Sequence, residues 1–111
     1  MGLDKISGND FQATVLESET PVLVDFFATW CGPCKVLEPV LNDLAESYGD
    51  KVKFVKVDIE EADAVAAKFA VVNVPTLLLF KGGQEAGRKV GAAPKPTLQS
   101  WINDTAQVAT A

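Results

Sequence analysis

Residues 22–35 read VLVDFFATWCGPCK, an apolar run that ends in two cysteines three positions apart. The run from Val22 to Ala28 is apolar except for Asp25, which is typical of a strand buried on both faces at the centre of a sheet. A helical pattern of apolar residues follows Cys34. This order places both sulfurs at a helix N-terminus, where unpaired N–H groups and the helix dipole favour a thiolate. The expected chemistry is thiol–disulfide exchange.

The length and composition of the chain fit one compact domain that spans residues 1–111. Hydrophobic residues make up 48% of the 111 positions, which is enough for a proper core without covalent staples. The net charge is −5, from ten Lys and Arg against fifteen Asp and Glu. This negative charge disfavours binding to the phosphate backbone of nucleic acid, so we expect no nucleic-acid partner. A monomer is the default expectation.

The first residues, MGLDKI, contain no apolar core of a secretion signal. Ile6 stands where an N-myristoylation signal needs Ser or Thr. No apolar run approaches the length that spans a membrane. We therefore expect a soluble cytoplasmic protein without membrane association, although a leader already removed would leave the same appearance.

The cysteine pair has two alternatives to redox chemistry. A closed zinc site needs four ligands, usually Cys or His, whereas this chain has two Cys and no His, so no metal is expected. A structural disulfide that closes so short a loop would remove little entropy from the unfolded chain. In a reducing cytoplasm such a pair is more often catalytic or metal-binding than structural, so redox chemistry is favoured.

Extended and helical patterns alternate along the chain and predict an α/β protein, with a central mixed five-stranded sheet and helices on both faces. The predicted strands are 3–7, 22–28, 52–59, 76–80 and 86–90, and the helical patterns cover 11–16, 34–48, 62–69 and 98–105. Gly82-Gly83 is a hairpin signal that makes the last two strands antiparallel neighbours. The cysteines then follow the carboxyl end of a central strand, where open α/β sheets usually place their sites.

The motif WCGPCK at residues 30–35, together with Val74-Pro75-Thr76, resembles the thioredoxin family. The resemblance extends over nearly the whole chain and includes Asp25, Pro39, Lys56, Gly82-Gly83 and Gly91. It implies the thioredoxin fold and a general protein-disulfide reductase that acts on disulfide-containing target proteins. The chain has no G-x-G-x-x-G fingerprint and so no nucleotide site of its own. The resemblance therefore implies electrons from NADPH through a separate thioredoxin reductase, with the Cys31–Cys34 disulfide as the redox group and no other cofactor.

The two cysteines have different expected roles. Cys31 comes first and nearest to the helix start, so its thiolate should gain most from the helix terminus and be the attacking nucleophile. Cys34, about one turn further, is expected to be less exposed and to resolve the mixed disulfide. Gly32 and Pro33 keep the bridge between them tight, and Pro33 suits the first helical turn.

Asp25 and Lys56 are predicted partners. Asp25 is the lone charge in its buried strand, and Lys56 shares a strand face with Val52 and Phe54 by the two-residue period. A charged side chain at either position is unfavourable unless it is paired with an opposite charge. Burial would raise the pKa of the carboxyl and a nearby ammonium would lower it, so the net direction stays open. A purely structural ion pair is one interpretation; the resemblance implies that Asp25, with Lys56 and water, assists removal of the Cys34 proton.

Pro75 precedes a strand, and on general frequency its peptide bond would be trans. The resemblance implies instead a cis bond that lies against the disulfide, with the backbone of Val74 pairing with an extended substrate segment. It also implies an apolar groove around the sulfurs. The remaining groove residues are Trp30, Gly32, Pro33, Gly91 and Ala92.

Several positions depart from the commonest pattern of the family. Phe27 stands where many members carry a second Trp, and Asn73 takes a place often held by a small residue beside the substrate strand. Pro94 occupies the cap site of the last helix and has no side-chain acceptor. The acidic residues of segment 58–63 are predicted to be solvated surface.

Two rival functions stay open. An oxidant or isomerase could use the same fold, although the Gly-Pro dipeptide and the missing export signal disfavour it, and equilibration with glutathione would distinguish it. A non-catalytic binding subunit or chaperone is the second rival. That rival predicts full biological activity after both cysteines are changed to serine.

Overall fold

A computed structural model describes residues 3–109 of the chain. The described strands are β1 (Asp4–Lys5), β2 (Val22–Phe27), β3 (Lys53–Asp58), β4 (Thr76–Lys81) and β5 (Gln84–Val90). The α-helices are α1 (Gly32–Tyr48), α2 (Asp63–Lys68) and α3 (Lys95–Ala106). A π-helical turn (Gln12–Leu16) follows β1, and a 3-10 turn (Gly49–Lys51) follows α1. The predicted domain of residues 1–111 includes four terminal residues, 1, 2, 110 and 111, that lie outside the described part.

The predicted strands are all present, and β2, β3 and β4 end within one residue of prediction. β5 begins two residues earlier than predicted, at Gln84, because the hairpin turn takes up only Gly82 and Gly83. The helical pattern of residues 11–16 forms a π-helical turn rather than an α-helix. As predicted, Pro94 stands at the N-cap of α3 and makes no side-chain cap hydrogen bond.

The strands form one sheet in the order β1-β3-β2-β4-β5, so β2 lies at its centre as predicted. β3 pairs in parallel with both β1 and β2, whereas β4 runs antiparallel to β2 and β5. The prediction of a central mixed five-stranded sheet is therefore confirmed. Because only residues 28–31 separate β2 from α1, this helix begins near the carboxyl end of the central strand.

Helical segments cover both faces of the sheet, as predicted. On one face Leu23 packs in a cluster with Leu37 and Leu41 of α1 and with Leu98 and Ile102 of α3. On the other face the central strand packs with α2 and with the segment that begins at Phe11; the residues of β2 in this cluster are Val22, Val24 and Phe26. Burying each such side chain stabilises the fold by about 1.5–3 kcal/mol. No helix among residues 3–109 is long and apolar enough to cross a membrane.

The hairpin between β4 and β5 turns on two glycines in the left-handed region, with φ of +61° at Gly82 and +79° at Gly83. The two positions differ in their surroundings. A Cβ atom at Gly82 would meet nothing within 4 Å, whereas one at Gly83 would lie 2.5 Å from the backbone oxygen of Leu16. The hairpin therefore packs against the end of the π-helical turn at Gly83.

We predict that Gly83→Ala destabilises the protein more than Gly82→Ala. Both alanines must adopt a left-handed conformation, which costs about 1–2 kcal/mol. At Gly83 the new methyl group also meets the Leu16 carbonyl, so that backbone must shift. Urea unfolding of the two variants measures the difference, and Gly82→Ala is the matched control. Equal losses of unfolding free energy would show that the close approach at Leu16 relaxes without cost.

Candidate active site

Cys31 and Cys34 form a disulfide at the start of α1, with their Cα atoms 5.3 Å apart. Cys31 is the N-cap residue of the helix, in an extended conformation, and its Sγ accepts a hydrogen bond of 3.2 Å from the backbone N–H of Cys34. The backbone N–H of Cys31 in turn bonds to the carbonyl of Ala28, one residue beyond β2. The Cys31 sulfur thus lies where the helix terminus stabilises negative charge.

Both cysteines are buried. Their exposed fractions are 4% for Cys31 and 6% for Cys34, and both pack in an apolar cluster with Ala28, against which Phe27 and Val74 are packed. The prediction that Cys34 is the less exposed of the two is wrong for this disulfide form, because the cluster covers both residues to a similar extent. The difference between the two sulfurs is one of position. Cys31 caps the helix, whereas Cys34 lines a pocket on the α1 side of the sheet.

The remaining predicted groove residues are exposed to solvent to different degrees. Trp30 is 65% exposed, and its indole N–H donates to Glu60 Oε2 at 3.1 Å. Gly32, Pro33 and Ala92 are exposed, and Gly91 is partly exposed. Trp30 was a predicted member of this groove, but its contact with Glu60 was missed, since segment 58–63 was predicted to be solvated surface.

The peptide bond between Val74 and Pro75 is cis, as the resemblance implied. Val74 packs against the disulfide cluster, and the Pro75 carbonyl accepts a hydrogen bond of 2.8 Å from the Gly91 N–H. The start of β4 is thereby tied to the end of β5. Next to this turn Val72 is 83% exposed, an apolar side chain that periodicity did not single out because it lies outside any helix or strand.

A pocket of about 250 Å³ lies next to Cys34. It is lined by Asp25, Phe27, Ala28, Thr29, Cys34, Lys35 and Glu38. This volume can hold several water molecules, each of which occupies about 30 Å³ in the liquid. Asp25 and Cys34 therefore line the same pocket.

Asp25 is 3% exposed, and no hydrogen-bond partner for its Oδ1 occurs in the described part of the chain. Burial raises the pKa of this carboxyl to about 7. The Lys56 ammonium lowers the pKa and the Glu38 carboxylate raises it, both by less than burial does. The sequence left open whether the pKa of Asp25 is raised or lowered. It is raised, because desolvation outweighs the attraction of the lysine.

Lys56 forms its ion pair with Glu38 rather than with Asp25, which corrects the predicted partnership. Its Nζ lies 2.9 Å from Glu38 Oε2 and 5.4 Å from the centroid of the Phe27 ring. Asp25 and Lys56 are nevertheless register partners on the adjacent parallel strands β2 and β3. Sequence reasoning missed Glu38, although its position four residues after Cys34 places both on one face of a helix.

Asp58 also differs from prediction. It is 4% exposed, so it is not solvated surface, and its Oδ1 accepts a hydrogen bond of 2.8 Å from the Glu60 N–H. Among residues 3–109, no three or more His, Cys, Asp or Glu side chains form a group that could hold a metal ion.

The family model and the relatives that match this chain point to the same family. A family model described as Thioredoxin matches residues 3–104. The chain is 50% identical to thioredoxin C-2 of Corynebacterium nephridii over 94 residues, which cover 85% of this chain and 87% of that protein. It is 47% identical to thioredoxin of Haemophilus influenzae over 98 residues, covering 88% and 92% of the two chains. Thioredoxin 1 of a Nostoc species is 46% identical over the same length, with the same coverage.

We predict that Asp25 makes the disulfide form less stable as pH rises. The folded pKa of about 7 lies above the ordinary value of 3.8, so between these values the folded state keeps a proton that the unfolded chain has released. This contribution to stability is fully present below the unfolded pKa and is lost as pH rises through the folded pKa. Its slope is at most about 1.4 kcal/mol per pH unit.

Asp25→Asn should remove this slope, so the variant should gain unfolding free energy relative to wild type as pH rises from about 4 to about 7. Denaturant unfolding at several pH values, with the disulfide intact, measures the difference. Asp43→Asn is the control, because Asp43 is exposed on α1. A difference that does not change with pH would mean that Asp25 titrates normally.

Proposed function

The chain belongs to the thioredoxin family, and from this membership we propose the steps and partners of its redox cycle. It is a protein-disulfide oxidoreductase that works by dithiol/disulfide exchange. The observation that carries the residue assignment is the Cys31 sulfur at the N-cap of α1, hydrogen-bonded to the Cys34 N–H. In the reduced protein this position favours the thiolate of Cys31 over that of Cys34.

In the first step the Cys31 thiolate attacks one sulfur of a target disulfide. A bond forms between Cys31 Sγ and that sulfur, the target disulfide breaks, and the second target sulfur leaves with the electron pair as a thiolate. The product is a mixed disulfide. The target docks as an extended segment against Val74 and Pro75, with Trp30, Gly32, Pro33, Gly91 and Ala92 around it. The contact of Val74 with the disulfide cluster supports this arrangement.

In the second step Cys34 resolves the mixed disulfide. Its thiol transfers a proton to the carboxylate of Asp25, directly or through water in the shared pocket, and the resulting thiolate attacks Cys31 Sγ. The Cys31–Cys34 bond forms and the remaining target sulfur leaves as a thiolate, so two electrons have passed to the target. The raised pKa of Asp25, about 7, supports this role because a base works best when its pKa is near the working pH. Lys56 acts beside Asp25 as the nearby cation.

A separate thioredoxin reductase then returns two electrons from NADPH to the disulfide. We place the protein in the cytoplasm as a monomer and as a single domain that includes residues 1–111. The match of the family model to residues 3–104 supports the domain assignment. Supply of electrons by a reductase keeps the dithiol form available for general reduction of target proteins.

Each cysteine variant should stop the cycle at a different step. With NADPH, thioredoxin reductase and a small disulfide-bonded protein, wild type should turn over continuously. Cys31→Ser should show no reduction, because the nucleophile is absent. Cys34→Ser should accumulate the mixed disulfide, which non-reducing electrophoresis and mass spectrometry detect. Failure of wild type to turn over, or trapping by Cys31→Ser instead, would contradict the assignment.

Asp25→Ala should slow resolution of the mixed disulfide more than its formation, because only Cys34 loses its proton acceptor. Single-turnover kinetics with a target that carries a fluorescent label separate the two steps. Asp43→Ala is the matched control on the exposed side of α1. Equal slowing of both steps would refute a specific role of Asp25 in resolution.

A further inference from the structure

Glu38 lies inside the site but has no part in the steps above. It follows Cys34 by one turn of α1 and lines the same pocket as Cys34 and Asp25. Its Oε2 accepts a hydrogen bond of 2.9 Å from Lys56 Nζ. The side chain of Glu38 is 47% exposed and that of Lys56 is 20% exposed, so both partners of the ion pair are more exposed than Asp25, at 3%.

Lys56 faces two carboxyl groups and forms its ion pair with one of them. Asp25 is its register partner on the neighbouring strand, and the residue opposite Asp25 on its other side is the uncharged Leu77 of β4. Glu38 approaches Lys56 from α1, and the Phe27 ring lies 5.4 Å from the ammonium. Asp25 keeps one oxygen without a hydrogen-bond partner in the described part of the chain.

We propose that Glu38 is a positioning residue for the resolving step, which holds the Lys56 ammonium in an ion pair and leaves Asp25 able to accept the Cys34 proton at neutral pH. This inference rests on the proposed role of Asp25 as the proton acceptor. It concerns the same step and adds no new bond: the proton passes from Cys34 Sγ to Asp25, and the Cys34 thiolate then displaces the target sulfur from Cys31.

The physical reason is the competition between two carboxylates for one cation. A cation in direct contact with Asp25 would favour its ionised form and make it a weaker base. Glu38 opposes ionisation of Asp25 in two ways. It binds the Lys56 ammonium, and its own negative charge disfavours a second negative charge on Asp25. Both effects raise the proton affinity of Asp25, in agreement with the direction in which Glu38 moves its pKa.

Two further charged groups lie on α1 and β3, the elements that carry Glu38 and Lys56. Lys35 of α1 lines the pocket and is exposed. Asp58 lies on the same face of β3 as Lys56 by the two-residue period, but its Oδ1 is engaged by the Glu60 N–H. Of the groups from α1 and β3, Glu38 is the carboxylate that forms an ion pair with Lys56.

The first test is the titration of the Asp25 carboxyl in the disulfide form, followed by NMR of the side-chain carboxyl carbon. Glu38→Gln keeps the size and a hydrogen-bond acceptor but removes the charge. We expect its Asp25 midpoint to fall by about one pH unit, the lower end of the effect of a charge at close range. Glu46→Gln is the control with the same change of charge, since eight residues along α1 correspond to about 12 Å.

An Asp25 midpoint that is the same in Glu38→Gln and wild type would overturn the proposal, as would an equal fall in Glu46→Gln. This readout does not depend on catalysis, so it stands even if Asp25 proves to have no role in resolution. A structural role of Glu38 alone would change the urea midpoint but not the titration.

The second test is the pH profile of the resolving step in single-turnover reactions. In Glu38→Gln the rise of the rate with pH should move to lower pH and the plateau rate should fall, because a weaker base ionises earlier. Glu38→Asp should restore part of the wild-type profile. In an Asp25→Asn background Glu38→Gln should change nothing further. A shifted profile that persists in that background would refute action through Asp25, whereas an Asp25→Asn variant with normal resolution would instead refute the proposed base.

Discussion

Burial of β2 on both faces is the constraint from which the rest of the molecule follows. Helical segments cover the two faces of the sheet, and the apolar residues of β2 from Val22 to Phe26 are fully excluded from solvent. Parallel neighbouring strands must be joined by a crossover, and the crossover between the parallel strands β2 and β3 contains α1, which covers one face of the sheet. Because only residues 28–31 separate β2 from α1, the helix N-terminus and its cap, Cys31, lie near the carboxyl end of this central strand.

The same burial explains the unusual chemistry of Asp25. A carboxyl group on an exposed strand would be solvated and ionised at neutral pH, but Asp25 is 3% exposed and its pKa rises to about 7. Burial of Asp25 destabilises the fold, and it occurs in a pocket that Cys34 also lines, the residue that loses a proton in the proposed mechanism. Desolvation of the Asp25 carboxyl therefore has two results: it lowers the stability of the fold, and it raises the pKa to a value suited to the proposed proton acceptor.

The fold was largely predictable from sequence because its strongest signals are local. The apolar run of β2, the helical period of α1 and the Gly82-Gly83 turn each identify their structure with little tertiary information. The π-helical turn at Gln12–Leu16 was predicted only as helical, since a few apolar residues on one face do not distinguish the two helix types. The cis bond before Pro75 came from family resemblance, not from composition or periodicity.

The site was less predictable where side chains from different elements compete. Strand period placed Asp25 and Lys56 on one face, but it could not show that a glutamate of α1 reaches the lysine at 2.9 Å. Similarly, helix position distinguished the two cysteines, whereas their near-equal burial depends on Phe27, Ala28 and Val74 around them. Such details require the packing of three elements, which single-sequence patterns do not contain.

In the proposed docking mode, the hydrogen bond between Gly91 and Pro75 affects which backbone groups are open to an incoming chain. The Pro75 carbonyl is already engaged, and proline has no N–H to donate. On the proposed docking mode, an incoming chain therefore finds its backbone partner at Val74 and must arrive there in an extended form. A cystine inside an intact helix cannot meet this requirement until that helix unfolds locally. In this docking mode the protein selects target proteins by the local unfolding of the segment around their disulfide more than by the side chains of that segment.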